Sequence, residues 1–161
     1  MSRPAFDTAA ELIVEAEEPY RPQLVVGIER GGRELAALVA ELMAVPPGFV
    51  RARHNDSDEV EVQATGQVHV DIETIERLPQ ADRILVVDDI CGSGATLRAV
   101  TAAITGLRAP SAIRTAVLCR NAGADFAPDC WVWDVCDWVH FPWERDAGRP
   151  TEPLPVPERV R

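Results

Sequence analysis

"RILVVDDICGSGATLRAVTAAITGL", residues 83–107, decides the fold class. Four apolar residues, Ile84 to Val87, run directly into Asp88 and Asp89, and the acids run into a turn of Gly92, Ser93, Gly94, Ala95 and Thr96. A short apolar run closed by turn residues reads as a buried strand over 83–90, and 94–107 reads as the helix that follows it. A strand, a Gly-rich turn and a helix in that order are half of a crossover unit, the building block of a parallel sheet.

Outward from this stretch the same alternation repeats. "QLVVGI" (23–28) is a second short apolar run, followed by glycines at 31 and 32. In "GRELAALVAELMAV" (32–45), Leu35, Leu38, Val39 and Leu42 fall at helical spacing, and Pro46-Pro47 ends the helix. "GFVRAR" (48–53) predicts a strand. Segment 54–75 opens polar and then alternates through Val60, Val62, Val68, Val70 and Ile72, predicting a loop and period-two strands around Thr65-Gly66. "IRTAVLCR" (113–120) is a further strand, and "CWVWDV" (130–135) with "DWVHFPW" (137–143) forms a compact aromatic region. The expected architecture is α/β, a mostly parallel sheet flanked by helices, with a small C-terminal hood. One domain spans 1–149, with its core at about 20–120 and the hood at about 121–149. Residues 150–161, rich in proline, make an extended arm.

Composition removes several classes of function. The 161 residues carry a formal net charge of -10, which argues against a nucleic-acid binder, since phosphate backbones are gripped by clustered basic residues. No apolar run approaches the ~18 residues of a membrane span, and the N-terminus does not begin a signal peptide, so a cytoplasmic protein without membrane contact is expected. Lysine is absent; all sixteen basic residues are arginine. A Walker A loop and Schiff-base chemistry both require lysine and are excluded. Cys91, Cys119, Cys130 and Cys136 show no CxxC pair, so reduced and mostly buried thiols are expected.

The chemistry gathers at two Gly-rich loops, 27–32 and 92–96, both placed after strands, where ligands of open α/β sheets bind. Backbone amides of Gly92 to Thr96 lead into a helix N-terminus, which favours a phosphate, and Ser93 and Thr96 add hydroxyl donors. Asp88 and Asp89 repel a bare polyphosphate, but they suit the vicinal hydroxyls of a sugar phosphate or a divalent cation, for which Mg2+ is the natural candidate. A dinucleotide fingerprint is not present, because Leu97 stands where its third glycine belongs.

"VVDDICGSGAT" (86–96) resembles the signature of the type I phosphoribosyltransferases, which bind 5-phosphoribosyl-1-pyrophosphate (PRPP). The resemblance implies that Asp88 and Asp89 contact the ribose hydroxyls and Mg2+, and that Cys91, Gly92, Ser93, Gly94, Ala95 and Thr96 cradle the 5′-phosphate. "GIERGGRELA" (27–36) is similar to the family's pyrophosphate loop, which gives Arg30, Gly31 and Gly32 to the leaving group, with Arg33 adding charge. The polar stretch His54–Glu61 sits where the family carries a loop that closes over the reaction. "DWVHFPWE" (137–144) resembles the hood of the 6-oxopurine enzymes, especially the bacterial xanthine-guanine types. That likeness implies that Trp138 stacks on the base and that Val139 offers backbone groups to its edge, while Trp143 is core. A homodimer is the family's usual assembly.

Two positions depart from the 6-oxopurine pattern. The aspartate that handles the proton on purine N7 is replaced by Gly92, and the lysine that reads the purine O6 by Arg120, a bulkier, fork-shaped donor. The expected activity is transfer of the phosphoribosyl group from PRPP to a purine-type base with release of pyrophosphate, Arg30, Asp88 and Asp89 being catalytic. Cys91 is a space-filler whose place near a helix N-terminus lowers its pKa. Two alternatives remain: transfer to a non-purine or specialised base, and a regulator that senses PRPP without consuming it.

Overall fold

The computed structural model describes residues 1–53, 68–144 and 152–161. In chain order the elements are α1 (Arg3–Glu17), β1 (Leu24–Glu29), α2 (Arg33–Met43), β2 (Pro47–Arg53), β3 (His69–Val70), α3 (Ile72–Glu76), β4 (Arg83–Cys91), α4 (Ala95–Arg108), β5 (Ala112–Asn121) and β6 (Cys130–Val135). The strands form one six-stranded sheet in the order β3-β2-β1-β4-β5-β6, parallel throughout except for β3, which runs antiparallel to β2.

The continuous apolar runs read from the sequence follow from burial on both faces. Side chains alternate across a strand, so Val25, Leu85, Val87, Ala116 and Leu118 point to the layer of α1 and α2. Leu24, Val26, Ile84, Val86 and Val117 point to the layer of α3 and α4, where Leu97, Val100 and Ile104 meet them.

Several expectations are corrected. The chain begins with a helix that the alternation pattern did not include. The Ser2 hydroxyl caps α1 by accepting from the Ala5 amide, Pro4 sits in its first turn, and Phe6, Ala9, Ala10 and Ile13 are fully buried against the sheet. Ile72 does not extend a strand; Asp71 accepts from the Glu73 amide and starts α3 there. Leu42 is exposed at 46%, and α2 buries Leu35, Ala36, Val39 and Ala40 instead. "CWVWDV" belongs to the sheet as its edge strand, not to a separate aromatic cap. Thr65-Gly66 and His54–Glu61 lie outside the described residues.

Residues 152–161 do not project as a free arm. Trp131 and Arg161 exchange both backbone hydrogen bonds, at 3.2 and 2.7 Å, in the manner of an antiparallel pair, and the Trp133 indole donates to the Pro155 carbonyl at 3.2 Å. Leu154 and Val160 pack on the core, so this segment covers the open edge of β6. No helix of the described residues is long and apolar enough to cross a membrane.

Candidate functional site

β1 and β4 are neighbours, while the chain's next strand, β2, lies on the other side of β1. Their carboxyl ends therefore open the crevice at the point where strand order reverses, the usual ligand position in such sheets. Both Gly-rich loops sit there. A Cβ placed on Gly31 would lie 2.1 Å from the Asp89 carboxylate, and one on Gly32 2.6 Å from the Val87 carbonyl. Only glycine permits this approach, and it brings the first loop onto the acids of the second.

In that loop Arg30 is exposed and makes no ion pair among the described residues, so its charge is available at the mouth of the crevice. Arg33 is different. Its guanidinium pairs with Glu29, which also binds Arg51 at 3.1 Å, and lies 4.5 Å above the Phe49 ring. The charge expected of Arg33 is thus answered by Glu29.

β4 delivers the two acids. The Asp89 amide donates to Asp88 Oδ1 at 3.0 Å, and both side chains are half-buried. Burial pushes the Asp88 carboxyl well above the usual range, and the Asp89 charge adds to the effect. Asp89 is pushed up to about 6, first by burial and then by the facing Glu144, against hydrogen bonds that favour its charge. Hydroxyl donors or a cation brought to this pair would favour its charged form. No group of three or more His, Cys, Asp or Glu side chains suited to a metal occurs among the described residues. Two carboxylates alone suit Mg2+, which keeps several waters and completes its shell with substrate oxygens.

The turn after β4 is exposed at Gly92 and Ser93, and Ser93 Oγ accepts from the Ala95 amide at 3.3 Å. Gly94, at φ 81°, caps α4 in the left-handed region, and Ala95 and Thr96 begin the helix. A Cβ at Gly94 would lie 2.1 Å from Phe126, and Arg98 crosses that ring at 5.5 Å while donating to the Ser93 carbonyl at 3.4 Å. Nothing among the described residues lies within 4 Å of a Cβ at Gly92, so the place of the missing aspartate is open space. Cys91 is buried, and burial together with Asp88 raises its pKa, which corrects the expectation of a lowered one. All four cysteines are free; Cys91, Cys119 and Cys130 are buried and Cys136 is exposed.

Arg120 ends β5 beside Cys91 of β4 and Asp134 of β6. It donates from Nη2 to the Ala124 carbonyl at 3.2 Å and lies 4.9 Å over the Trp131 ring. Nη1 stands 3.7 Å from Asp134, and the buried Nε has no acceptor among the described residues. Trp138 is 69% exposed, without a hydrogen bond or ring contact among the described residues, while Val139 is buried. Trp143 is partly buried and packs against the core, edge-on to Phe6 and stacked on Phe141. The structure thus joins the two loops and the acids directly. Arg120 contacts Trp131 and Asp134 of β6, and Trp138 is exposed at the surface.

Sequence reading gave no role to Arg98 or Phe126 and took Glu144 only as the acid that closes the hood motif, not as a neighbour of Asp89. Arg98 was findable, four residues after the capping Gly94 on the same turn of the helix. Phe126 and Glu144 arrive from loops whose placement no periodicity encodes.

A model of the phosphoribosyl transferase domain matches residues 3–147. The fold is similar to that of a purine phosphoribosyltransferase from Pyrococcus horikoshii, with a TM-score of 0.74 at 21% identity over 94% of this chain and 97% of that one. It also resembles the xanthine-guanine-hypoxanthine phosphoribosyltransferase of Helicobacter pylori, at 0.66 and 22% over 86% of each chain. An orotate phosphoribosyltransferase from Aeropyrum pernix superposes at 0.51 and 21%, over 74% of this chain and 59% of that one. At these identities the likeness is one of fold. No curated protein matches by sequence.

Proposed function

The chain belongs to the phosphoribosyltransferase family, and from that premise we propose that it moves the 5-phosphoribosyl group of PRPP onto a purine-type nucleobase and releases pyrophosphate. The observation that carries this reading is the contact of the two loops at the crevice, with Gly31 against Asp89. One loop offers Arg30 and backbone amides to a leaving pyrophosphate. The other offers carboxylates to ribose hydroxyls and an α4 N-terminus to the 5′-phosphate.

Asp88 and Asp89 would hold Mg2+, which when bound neutralises charge on the pyrophosphate. The residues do the rest. Arg30 faces the departing phosphates, Cys91 to Thr96 fix the 5′-phosphate, and the acid pair orients the ribose. Positive charge developing at C1 is met by carboxylates already in place, and no protein nucleophile is required. Trp138 supplies an exposed aromatic face for the base, next to the backbone of Val139. The Arg120 side chain is partly exposed, and its guanidinium is the donor for a base carbonyl or ring nitrogen. The fold likeness to purine-type enzymes from two organisms favours a purine, and the orotate enzyme keeps a pyrimidine in the test. The same reading makes this a cytoplasmic homodimer, testable by sedimentation.

The experiment is pyrophosphate release from PRPP with magnesium across guanine, hypoxanthine, xanthine, adenine, orotate and uracil. Release with a 6-oxopurine is expected. Gly92→Asp, which fills open space, should raise kcat for that base by about tenfold if N7 protonation limits the reaction. PRPP binding with silence across the panel overturns the transferase reading and leaves a PRPP sensor.

A further inference from the structure

Arg120 and Asp134 are register partners on adjacent parallel strands, β5 and β6. An arginine fork beside a carboxylate ordinarily closes into a bidentate pair. Here it does not: Arg120 Nη1 stops 3.7 Å from Asp134 Oδ1, beyond hydrogen-bond reach, and Nε has no acceptor among the described residues. The reason lies on the carboxylate's other side. Oδ1 already accepts the Trp131 indole N–H at 3.0 Å, and Oδ2 is taken by the guanidinium of Arg161. Arg161 reaches it because residues 152–161 fold back along the edge of β6, fixed by the paired backbone bonds between Arg161 and Trp131 and by Trp133 Nε1 on Pro155.

We propose that Arg161 is a positioning residue: by occupying Asp134 it keeps the Arg120 fork from closing on that carboxylate, so that Arg120 meets Asp134 only at 3.7 Å and retains donor capacity for the base. The proline-rich strap then serves the site from a distance. Its prolines lack amide donors and stiffen the chain, so the strap covers β6 without offering a further edge of its own. The inference rests on the reading of Arg120 as the base-reading group. Asp134 is the decisive neighbour, because in the absence of Arg161 its freed oxygen is the nearest strong acceptor for the Arg120 fork. A guanidinium satisfied by Asp134 has less to gain from a neutral base carbonyl.

The test uses Arg161→Ala, Asp134→Asn and the double variant in the full chain. With Arg161→Ala the KM for the base should rise about tenfold, while kcat and the KM for PRPP stay within about twofold. The double variant should bring the base KM back toward wild type, since a neutral amide holds the Arg120 fork more weakly than a carboxylate does. Arg161→Lys should keep most of the effect. A substrate-free readout runs beside the kinetics: the Arg120 Nε–H resonance in 15N-labelled protein should move in Arg161→Ala and return in the double variant. A base KM unchanged in Arg161→Ala, or one that the second substitution fails to restore, overturns the proposal and leaves the strap a structural staple. If the wild type turns over no base, the transferase reading fails, and the resonance alone decides whether Arg161 keeps Asp134 from Arg120.

Discussion

At Asp89 burial withdraws water from a carboxyl that also faces Glu144, and the two together hold its pKa at about 6. The folded chain therefore binds protons at Asp89 between about pH 4 and pH 6 that the unfolded chain has released. This stability is fully present below the unfolded pKa and is lost as pH rises through about 6. Asp88, raised in the same direction, steepens the loss. The melting temperature of the ligand-free protein should thus fall from pH 5 to pH 7.5. Asp89→Asn should flatten the fall, gain about 2 kcal/mol at pH 7.5 and lose turnover by about a hundredfold or more. An unchanged slope in that variant would refute the assignment. The acids were legible in the sequence because their types and spacing are local facts. Their proton affinity was not, since it depends on Glu144, 55 positions away and outside any motif that pairs with them.

Among the elements, β1, β4 and β5 were plain in the sequence because strands buried on both faces must be apolar at every position. α1 was not read, although Ser2, Pro4 and the spacing of Phe6, Ala9, Ala10 and Ile13 encode a capped amphipathic helix. Its small alanines carry little hydropathy, yet they let the helix lie close to the sheet. α1 also anchors the hood: Phe6 meets Trp143 at 5.3 Å, and the amino group of Met1 donates to the His140 carbonyl at 2.5 Å. Phe6→Ala should cost about 3–5 kcal/mol, read by denaturant unfolding. It should also red-shift tryptophan emission as Trp143 gains water. A loss below about 1 kcal/mol would mean that the hood stands without α1.

For the whole molecule, strand order is what makes a site from two loops 60 residues apart. With β1 beside β4, Gly31 rests on Asp89, and a methyl group there would overlap the carboxylate. Gly31→Ala should lower the melting temperature by a few degrees, because the Asp89 carboxylate must move, and weaken PRPP binding by about tenfold or more, measured by calorimetry. Equal affinity would show that the loops act separately. The sequence by itself determined the fold class, both loops and the acid pair, because burial pattern, turn chemistry and residue type are written within short windows. Only the tertiary structure decided that the loops touch, that Glu144 faces Asp89, and that the C-terminal arm returns to β6. It likewise set Arg120 against Trp131 and Asp134. Each of these is a contact between distant segments, fixed by which strands pair and which edges must be covered, and no local pattern carries that information.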